Sequence, residues 1–373
     1  MIIIAGHATL IDGKIYEAPV NTLVETLADK KSDFYYLRHS LDGRLNSMLY
    51  EYKSGRVSKE RKLWTIRKIS VLRYTTEILS SIFVLSLISI DKKIFYVGAD
   101  PLNAFIGVML KKIGRFKKTI FYTTDYSPKR FSNKLLDTIF KKIDQYDIKY
   151  SDAVWNVSSR IYKIREKQGL KKEKNIIVPN VPSSQYKQYL KNKKEEFSLI
   201  TLGIVGEQLD YVGVFEAIVK LKKEFPKIKF KIIGNGPKLE EYKKITKTKG
   251  IEQYVDFLGY LVHDKSLEQI SKSGVGLALY NGKWGFNYYG DSMKCREYLC
   301  FGLPIISTDT HSTVDDIKNF KAGEIVDVNA ADYERSIRKI FSKYDSYSKN
   351  AFSLAQKFND IHLKLLKELD DSL

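Results

Sequence analysis

The chain is predicted to fold as two tandem doubly wound, Rossmann-like α/β domains, each a parallel sheet wrapped by helices. Its 373 residues exceed the roughly 100–200 of one ordinary domain. Short β-branched or aromatic runs alternate with helix-length segments throughout, the signature of βαβ units. That alternation stops once, at VPNVPSSQ (178–185), and then restarts.

In the first half the strand-like runs are IIIA (2–5), FYYL (34–37), IFYV (94–97), TIFYT (119–123), AVWNV (153–157) and NIIV (175–178). Segments 19–30, 62–90, 101–114 and 132–148 have helical period and are predicted as helices. The Pro, Asn and Ser residues of 178–185 break regular structure, and the Lys-rich KNKKEE (191–196) that follows reads as solvated. The interdomain linker is placed here. SLITLGIV (198–205), KFKII (229–233), VDFLG (255–259), VGLALY (275–280), PIIST (304–308) and EIVDV (324–328) then supply the second sheet. Between the first two, VFEAIVKLKKEF (214–225) keeps Val214, Ala217, Ile218 and Leu221 on one helical face. The closing stretch carries Phe352, Ala355, Phe358, Ile361, Leu365 and Leu369 at helical spacing, as suits a helix packing across both domains. The predicted boundaries are 1–180, 181–348 and a 349–373 helix crossing back to the first domain. Two such domains set the carboxyl ends of two parallel sheets around a cleft, where ligands of open α/β folds bind. Phosphates there favour helix N-termini, whose free N–H groups point outward.

A 43% hydrophobic content excludes intrinsic disorder. Lys and Arg outnumber Asp and Glu by 63 to 44, a formal charge of +19, which draws nucleic acid, anionic membranes or phosphorylated substrates. Cys295 and Cys300, five apart on a predicted helix, do not face each other for a disulfide, and no Cys/His cluster is spaced to hold zinc. The start MIIIAGHATL lacks the basic region and apolar stretch of a signal peptide. IFVLSLISI (82–90), the most apolar run, is shorter than the ~20 residues of a membrane span and reads as a buried helix. A cytoplasmic protein, soluble or peripheral on a membrane, is expected.

GDSMKCREYLCFGLPIIS (290–307) carries the most chemistry. Asp291 or Ser292 can cap a helix running from about Met293 to Phe301, ended by Gly302 and Pro304. Lys294 falls in its first turn, where a cation opposes the helix dipole unless an anion such as a diphosphate joins them. Glu297, one turn on, is then placed to accept hydrogen bonds from ribose hydroxyls. The alternative is a surface helix with an ordinary i,i+3 ion pair.

This run resembles the C-domain signature of GT-B glycosyltransferases, and its SMKxxE-Y wording is similar to the bacterial glucuronosyltransferase of xanthan synthesis. IIGNGPKLEEY (232–242) resembles the family's strand–Gly-x-Gly-Pro–helix connection, and VPNV (178–181) its interdomain segment without the Gly. The resemblance covers most of 198–340 and over 1–180 is mainly strand order. It implies a nucleotide-sugar site of Met293, Lys294, Glu297 and Tyr280, with Ser292 at the helix start and the loop at Gly206 and Glu207 beside it, and an acceptor side in the first domain. Two departures stand out. The Arg and Lys that grip the diphosphate in the larger retaining families are missing from VGEQLDYVG (205–213), and the earlier Glu of their Glu-x7-Glu pattern falls on Tyr289. Both point away from those families and place more of the diphosphate contact on Lys294 and the N–H groups near Gly206.

An inverting transfer needs one base for the acceptor hydroxyl. Asp125 in TIFYTTDYSPKRF (119–131) follows a first-domain strand, as an Asp does in the related glucuronosyltransferases. Its alternative role is to cap a helix beginning near Pro128. His7, just past the first strand, is either an acceptor or donor contact or a structural hydrogen-bonder. No Asp-x-Asp triplet occurs, so no metal is expected and the leaving group's charge falls to Lys294 and a helix N-terminus. No cofactor is expected beyond the nucleotide-sugar co-substrate, UDP-linked.

Residues 53–73 hold eight Lys or Arg against one Glu, with Trp64, Ile66 and Ile69 interleaved, and 111–118 adds five more. Basic residues mixed with apolar ones suit an anionic lipid surface and a polyprenyl-diphosphate-linked acceptor, or else are solvated helix faces. No nucleic-acid module is recognisable. The expected activity is metal-independent, inverting sugar transfer from a UDP-sugar to a lipid-linked saccharide. Its rivals are a sugar-nucleotide epimerase or hydrolase of the same architecture and an inactive sugar- or polyanion-binding protein.

Overall fold

The computed structural model describes residues 1–11, 13–16, 20–88, 94–282 and 287–369. The chain divides into two compact units, Met1–Pro179 with Ile361–Leu373, and Asn180–Asp360.

The first unit opens with β1 (Ile2–Ile11), β2 (Lys14–Tyr16), α1 (Val20–Asp29) and β3 (Phe34–Ser40). An antiparallel ribbon of β4 (Met48–Lys53) and β5 (Arg56–Lys62) follows, then α2 (Ser70–Ser86). The parallel units continue as β6 (Phe95–Ala99), α3 (Pro101–Lys112), β7 (Lys118–Thr123), α4 (Lys134–Tyr150), β8 (Ala153–Asn156), α5 (Ser159–Lys167) and β9 (Asn175–Ile177). Among the described residues the sheet has nine strands in the order β5-β4-β3-β1-β6-β7-β8-β9, with β2 paired to β1. β1 runs parallel to both β3 and β6, so its carboxyl end, at His7, lies centrally where the connections diverge. Ile3, Leu37, Tyr96, Ile106 and Leu110 pack beneath it.

Three expectations are corrected here. The predicted helix 62–90 begins only at Ser70, because Arg56–Lys62 is taken up as an edge strand with every residue exposed. The apolar run 82–90, expected as a buried helix, is buried only in part: Val84 and Leu85 join the core and Ile82 and Ile88 pack against it. Phe83 and Leu87 are 63% and 59% exposed, and residues 89–90 lie outside the described residues. Arg73, Thr76, Glu77, Ser80 and Ser81 of α2 are buried as well. α2 thus buries a polar side that serves interior hydrogen bonds together with Val84 and Leu85 of the core, while Leu72, Leu79, Phe83 and the following Leu87 face outward. Asp125 caps no helix near Pro128, since α4 starts at Lys134 with Asn133 as its cap.

The second unit has β10 (Glu195–Leu202), α6 (Tyr211–Leu221), β11 (Lys229–Ile233), α7 (Leu239–Thr248), β12 (Val255–Gly259), α8 (His263–Ser271), β13 (Ser273–Ala278), α9 (Met293–Cys300), β14 (Ile305–Thr308), α10 (Thr313–Phe320), β15 (Gly323–Val326) and α11 (Ala330–Ser342). A last helix, α12 (Tyr344–Leu369), closes the chain. The sheet is fully parallel in the order β12-β11-β10-β13-β14-β15. Val214, Ala217, Ile218 and Leu221 of α6 are buried against it as their spacing predicts. α6 starts three residues before the predicted 214 because Asp210 accepts the Gly213 N–H at 3.0 Å and caps it. Lys194 of the supposedly solvated linker is partly buried. Its ammonium donates to the Phe301 carbonyl at the end of α9, and burial lowers its pKa to about 8. Cys295 and Cys300 are free and buried, and burial raises their pKa values to about 11 and about 12.

Candidate functional site

In the second unit the carboxyl ends of β10, β11 and β13 carry the turns the sequence singled out. Gly203 and Gly234 have φ of 148° and 137°, and a Cβ on Gly234 would lie 1.8 Å from the Gly203 carbonyl oxygen. Only glycine permits so close a crossing. It lets the Val205 N–H reach the Asn235 carbonyl at 3.0 Å and the Lys238 N–H reach that of Val205 at 3.1 Å. Gly206 is buried behind this loop, its carbonyl taking the Tyr242 hydroxyl at 3.1 Å, while Glu207 is exposed.

Ser292, not Asp291, is the N-cap of α9, accepting the Cys295 N–H. Asp291 instead binds the Arg296 guanidinium at 2.8–3.0 Å, the Asn180 N–H at 2.8 Å and the Thr313 hydroxyl at 2.8 Å, fixing the chain's entry into α9. The helix ends at Gly302, φ 66°, whose N–H reaches the Leu299 carbonyl at 2.8 Å. The ordinary Lys294–Glu297 ion pair does not form. Lys294 turns to β10, donates to the Leu202 carbonyl and lies 5.0 Å from the centre of the Tyr280 ring. Its Nζ is 3.4 Å from where a Cβ on Gly203 would sit, so that glycine keeps the space around the ammonium open. Glu297 is buried and pairs with a residue the sequence reading missed, His263 at the start of α8, whose Nε2 donates to Oε1 at 2.8 Å. Met293 is half-buried in the same first turn. Lys294, Tyr280, Ser292, Met293 and Glu297 therefore belong to one end of one sheet.

In the first unit a cavity of about 310 Å³ is lined by His7, Asp100, Asp125, Arg130, Asp144 and further residues of neighbouring loops and helices. His7 and Asp125 are thus brought together. Asp125 leaves β7 at Thr124 and is held by the Arg130 guanidinium. The turn itself is pinned because Asp137 of α4 accepts the Arg130 and Phe131 N–H groups at 2.7 and 3.1 Å.

His7 is largely embedded at the edge of the cavity. Its Nδ1 lies 2.6 Å from Asp100 Oδ2 and its Nε2 3.4 Å from Glu77 on the polar side of α2. Burial alone would lower its pKa, but Asp100 and then Glu77 outweigh it and hold the imidazolium up to about 10. Asp100 is the cap of α3 and sits at φ 72°, a strained conformation for a non-glycine residue that these bonds hold in place. His39, 5.6 Å from His7 ring to ring, is pushed down to about 3 by burial and then by that neighbouring charge. It stays neutral between the Ser47 and Ser81 hydroxyls, at 2.9 and 3.1 Å. His7 thus holds structural hydrogen bonds and also lines the cavity beside Asp125.

Below the cavity, Arg165 is fully buried and binds Asp144 through two bonds of 2.5 and 2.7 Å, with Thr123 at 3.1 Å. Asp147, one turn along α4, is buried with no hydrogen-bond partner among the described residues. Burial and then Asp144 raise its pKa well above the usual carboxylate range. Among the described residues no group of three or more His, Cys, Asp or Glu is arranged to hold a metal ion. No described helix is long and apolar enough to cross a membrane.

The chain matches solved structures over its whole length. HepE of Anabaena, in complex with UDP, aligns with a TM-score of 0.64 at 10% identity over 99% of each chain. The lipopolysaccharide outer core galactosyltransferase WaaB, in its apo form, gives 0.64 at 16% identity over 100% of each. WaaG, a glycosyltransferase involved in lipopolysaccharide biosynthesis, gives 0.60 at 11% over 99% of this chain and 100% of that one. The fold is GT-B. Residues 183–353 match the family model described as glycosyl transferases group 1, so the GT-B resemblance holds for the whole chain in fold and for the second unit in sequence. No curated protein sequence is matched. The α9 site thus lies inside the part of this GT-B chain that the family model covers, and the Asp125 cavity lies in the part known by fold alone.

Proposed function

We propose that this chain transfers a sugar from a UDP-sugar to a lipid-linked saccharide, with inversion and without a metal. The observation that carries the reading is Lys294. A first-turn cation is disfavoured by its own helix, yet here it lies beside an open glycine and an aromatic ring at the carboxyl ends of a parallel sheet. A diphosphate supplies the missing charge, with Gly206, Glu207, Tyr280, Ser292 and Met293 around it and Glu297 one turn away for the ribose. HepE, of the same fold, holds UDP, which supports the choice of nucleotide. In the transfer, the acceptor hydroxyl oxygen attacks the anomeric carbon and Asp125 takes its proton. The bond from that carbon to the diphosphate breaks, and UDP leaves with the electron pair, its charge met by Lys294 and the α9 N–H groups. Arg130 fixes the orientation of Asp125. Calorimetry with UDP, GDP and CMP tests the donor site. Lys294→Ala is expected to weaken UDP at least about tenfold, on the order of 1.5–3 kcal/mol for a charge-assisted contact. Binding of no nucleotide by the wild-type chain would overturn the reading.

The acceptor side is proposed to work on an anionic membrane surface from a cytoplasmic location. α2 turns Val71, Leu72, Leu79 and Phe83 outward, and Trp64 and Ile69 are exposed just before it. The exposed β5 contributes Arg56, Lys59, Arg61 and Lys62, a pairing that suits lipid headgroups and the tails beneath them. Wild-type protein is expected to sediment with phosphatidylglycerol vesicles and not with phosphatidylcholine ones, and to be released by 1 M salt. The double variant Leu79→Glu, Phe83→Glu should lose at least about a hundredfold in vesicle affinity, since burying each side chain contributes ~1.5–3 kcal/mol. Equal binding by variant and wild type would remove α2 from the surface.

A further inference from the structure

We infer that His263 is a positioning residue for ribose recognition, an inference that rests on the UDP-sugar reading of the α9 site. Glu297 is 7% exposed, and its only hydrogen bond among the described residues comes from His263 Nε2, at 2.8 Å to Oε1. A buried carboxylate on a single rotatable arm has no fixed direction unless a second group holds one of its oxygens. The imidazole supplies that hold from a different element. α8 follows β12 after a short turn, and its Ser266, Leu267, Ile270 and Ser271 are buried, so the helix is anchored while His263, at its first position, is half exposed. His263 is therefore at the rim and Glu297 is set behind it. With Oε1 occupied, the second oxygen is the one presented to a vicinal diol, and a planar carboxylate fixed in this way distinguishes a ribose from a sugar lacking its hydroxyls.

The test compares UDP with 2′,3′-dideoxy-UDP, binding measured by calorimetry on the full chain. His263→Ala is expected to weaken UDP about tenfold, the size of one lost charge-assisted hydrogen bond, and to change dideoxy-UDP less than about twofold. His263→Gln, whose amide N–H can reach the same oxygen, should restore part of the loss. Glu297→Gln should weaken UDP and leave dideoxy-UDP unchanged, and adding His263→Ala to it should cost nothing more. Equal loss for both ligands, or an unaltered UDP affinity in His263→Ala, overturns the inference while leaving the nucleotide site in place. A wild-type chain that binds no nucleotide overturns the site reading and this inference together.

Discussion

Asp125→Asn is expected to lower the turnover of sugar transfer by a factor on the order of 10²–10⁴, the usual contribution of a positioned general base, with UDP affinity within about twofold of wild type. The amide keeps the shape and the contact with Arg130 but accepts no proton. Asp125 is about half exposed and lies in a pinned turn, so the replacement leaves the fold intact. Turnover measured with saturating donor and acceptor separates the outcomes. A loss confined to KM would make Asp125 a binding residue, and an unaltered rate would place the base elsewhere. Inversion is read independently from the anomeric configuration of the product.

Arg165→Met is expected to be the most damaging replacement in the first unit. The guanidinium is fully buried and satisfies both Asp144 oxygens, and Asp147 lies close enough to Asp144 for the two carboxyls to repel. Removing one partner of a buried pair costs about 3–5 kcal/mol, which lowers the melting temperature of a unit this size on the order of 10 °C. Asp144→Leu added to Arg165→Met should recover most of that loss, because the stranded charge goes with it. A shift of a degree or two in the single variant would show that water reaches Asp144 and that the pair contributes little.

The central parallel strands were legible because they are buried on both faces and write their own apolar runs, as IIIA and KFKII do. The ribbon of β4 and β5 was not. RVSKERK has the composition of a solvated segment, and what makes it a strand is its pairing with MLYEYK, which leaves no mark on either sequence; Lys and Arg are what an unprotected sheet edge carries. α2 misled for the opposite reason. Its whole apolar run was assigned to the core, but only part of it packs there, because His7 and His39 need polar partners in that core, and Glu77 and Ser81 come from the same helix. In the α9 site, Ser292, Lys294 and Glu297 could be read because they lie within one turn or two of one another. His263 could not, since 33 intervening residues separate it from Glu297 and only the neighbouring of α8 and α9 joins them. Arg130 was visible five residues from Asp125, but its pairing depended on a turn that the predicted helix near Pro128 would have replaced.

The exposed apolar stripe of α2, apart from its buried side, also separates two kinds of selection. A helix that docks by its apolar face spends the same residues on folding and on solubility, so neither can change alone. Here the interior takes hydroxyls, a carboxylate and a guanidinium from the helix, with Val84 and Leu85 beside them, and Leu72, Leu79 and Phe83 are no part of that core set. Leu72, Leu79 and Phe83 can therefore drift, be tuned to different surfaces or be made polar by design, without the scaffold registering the change.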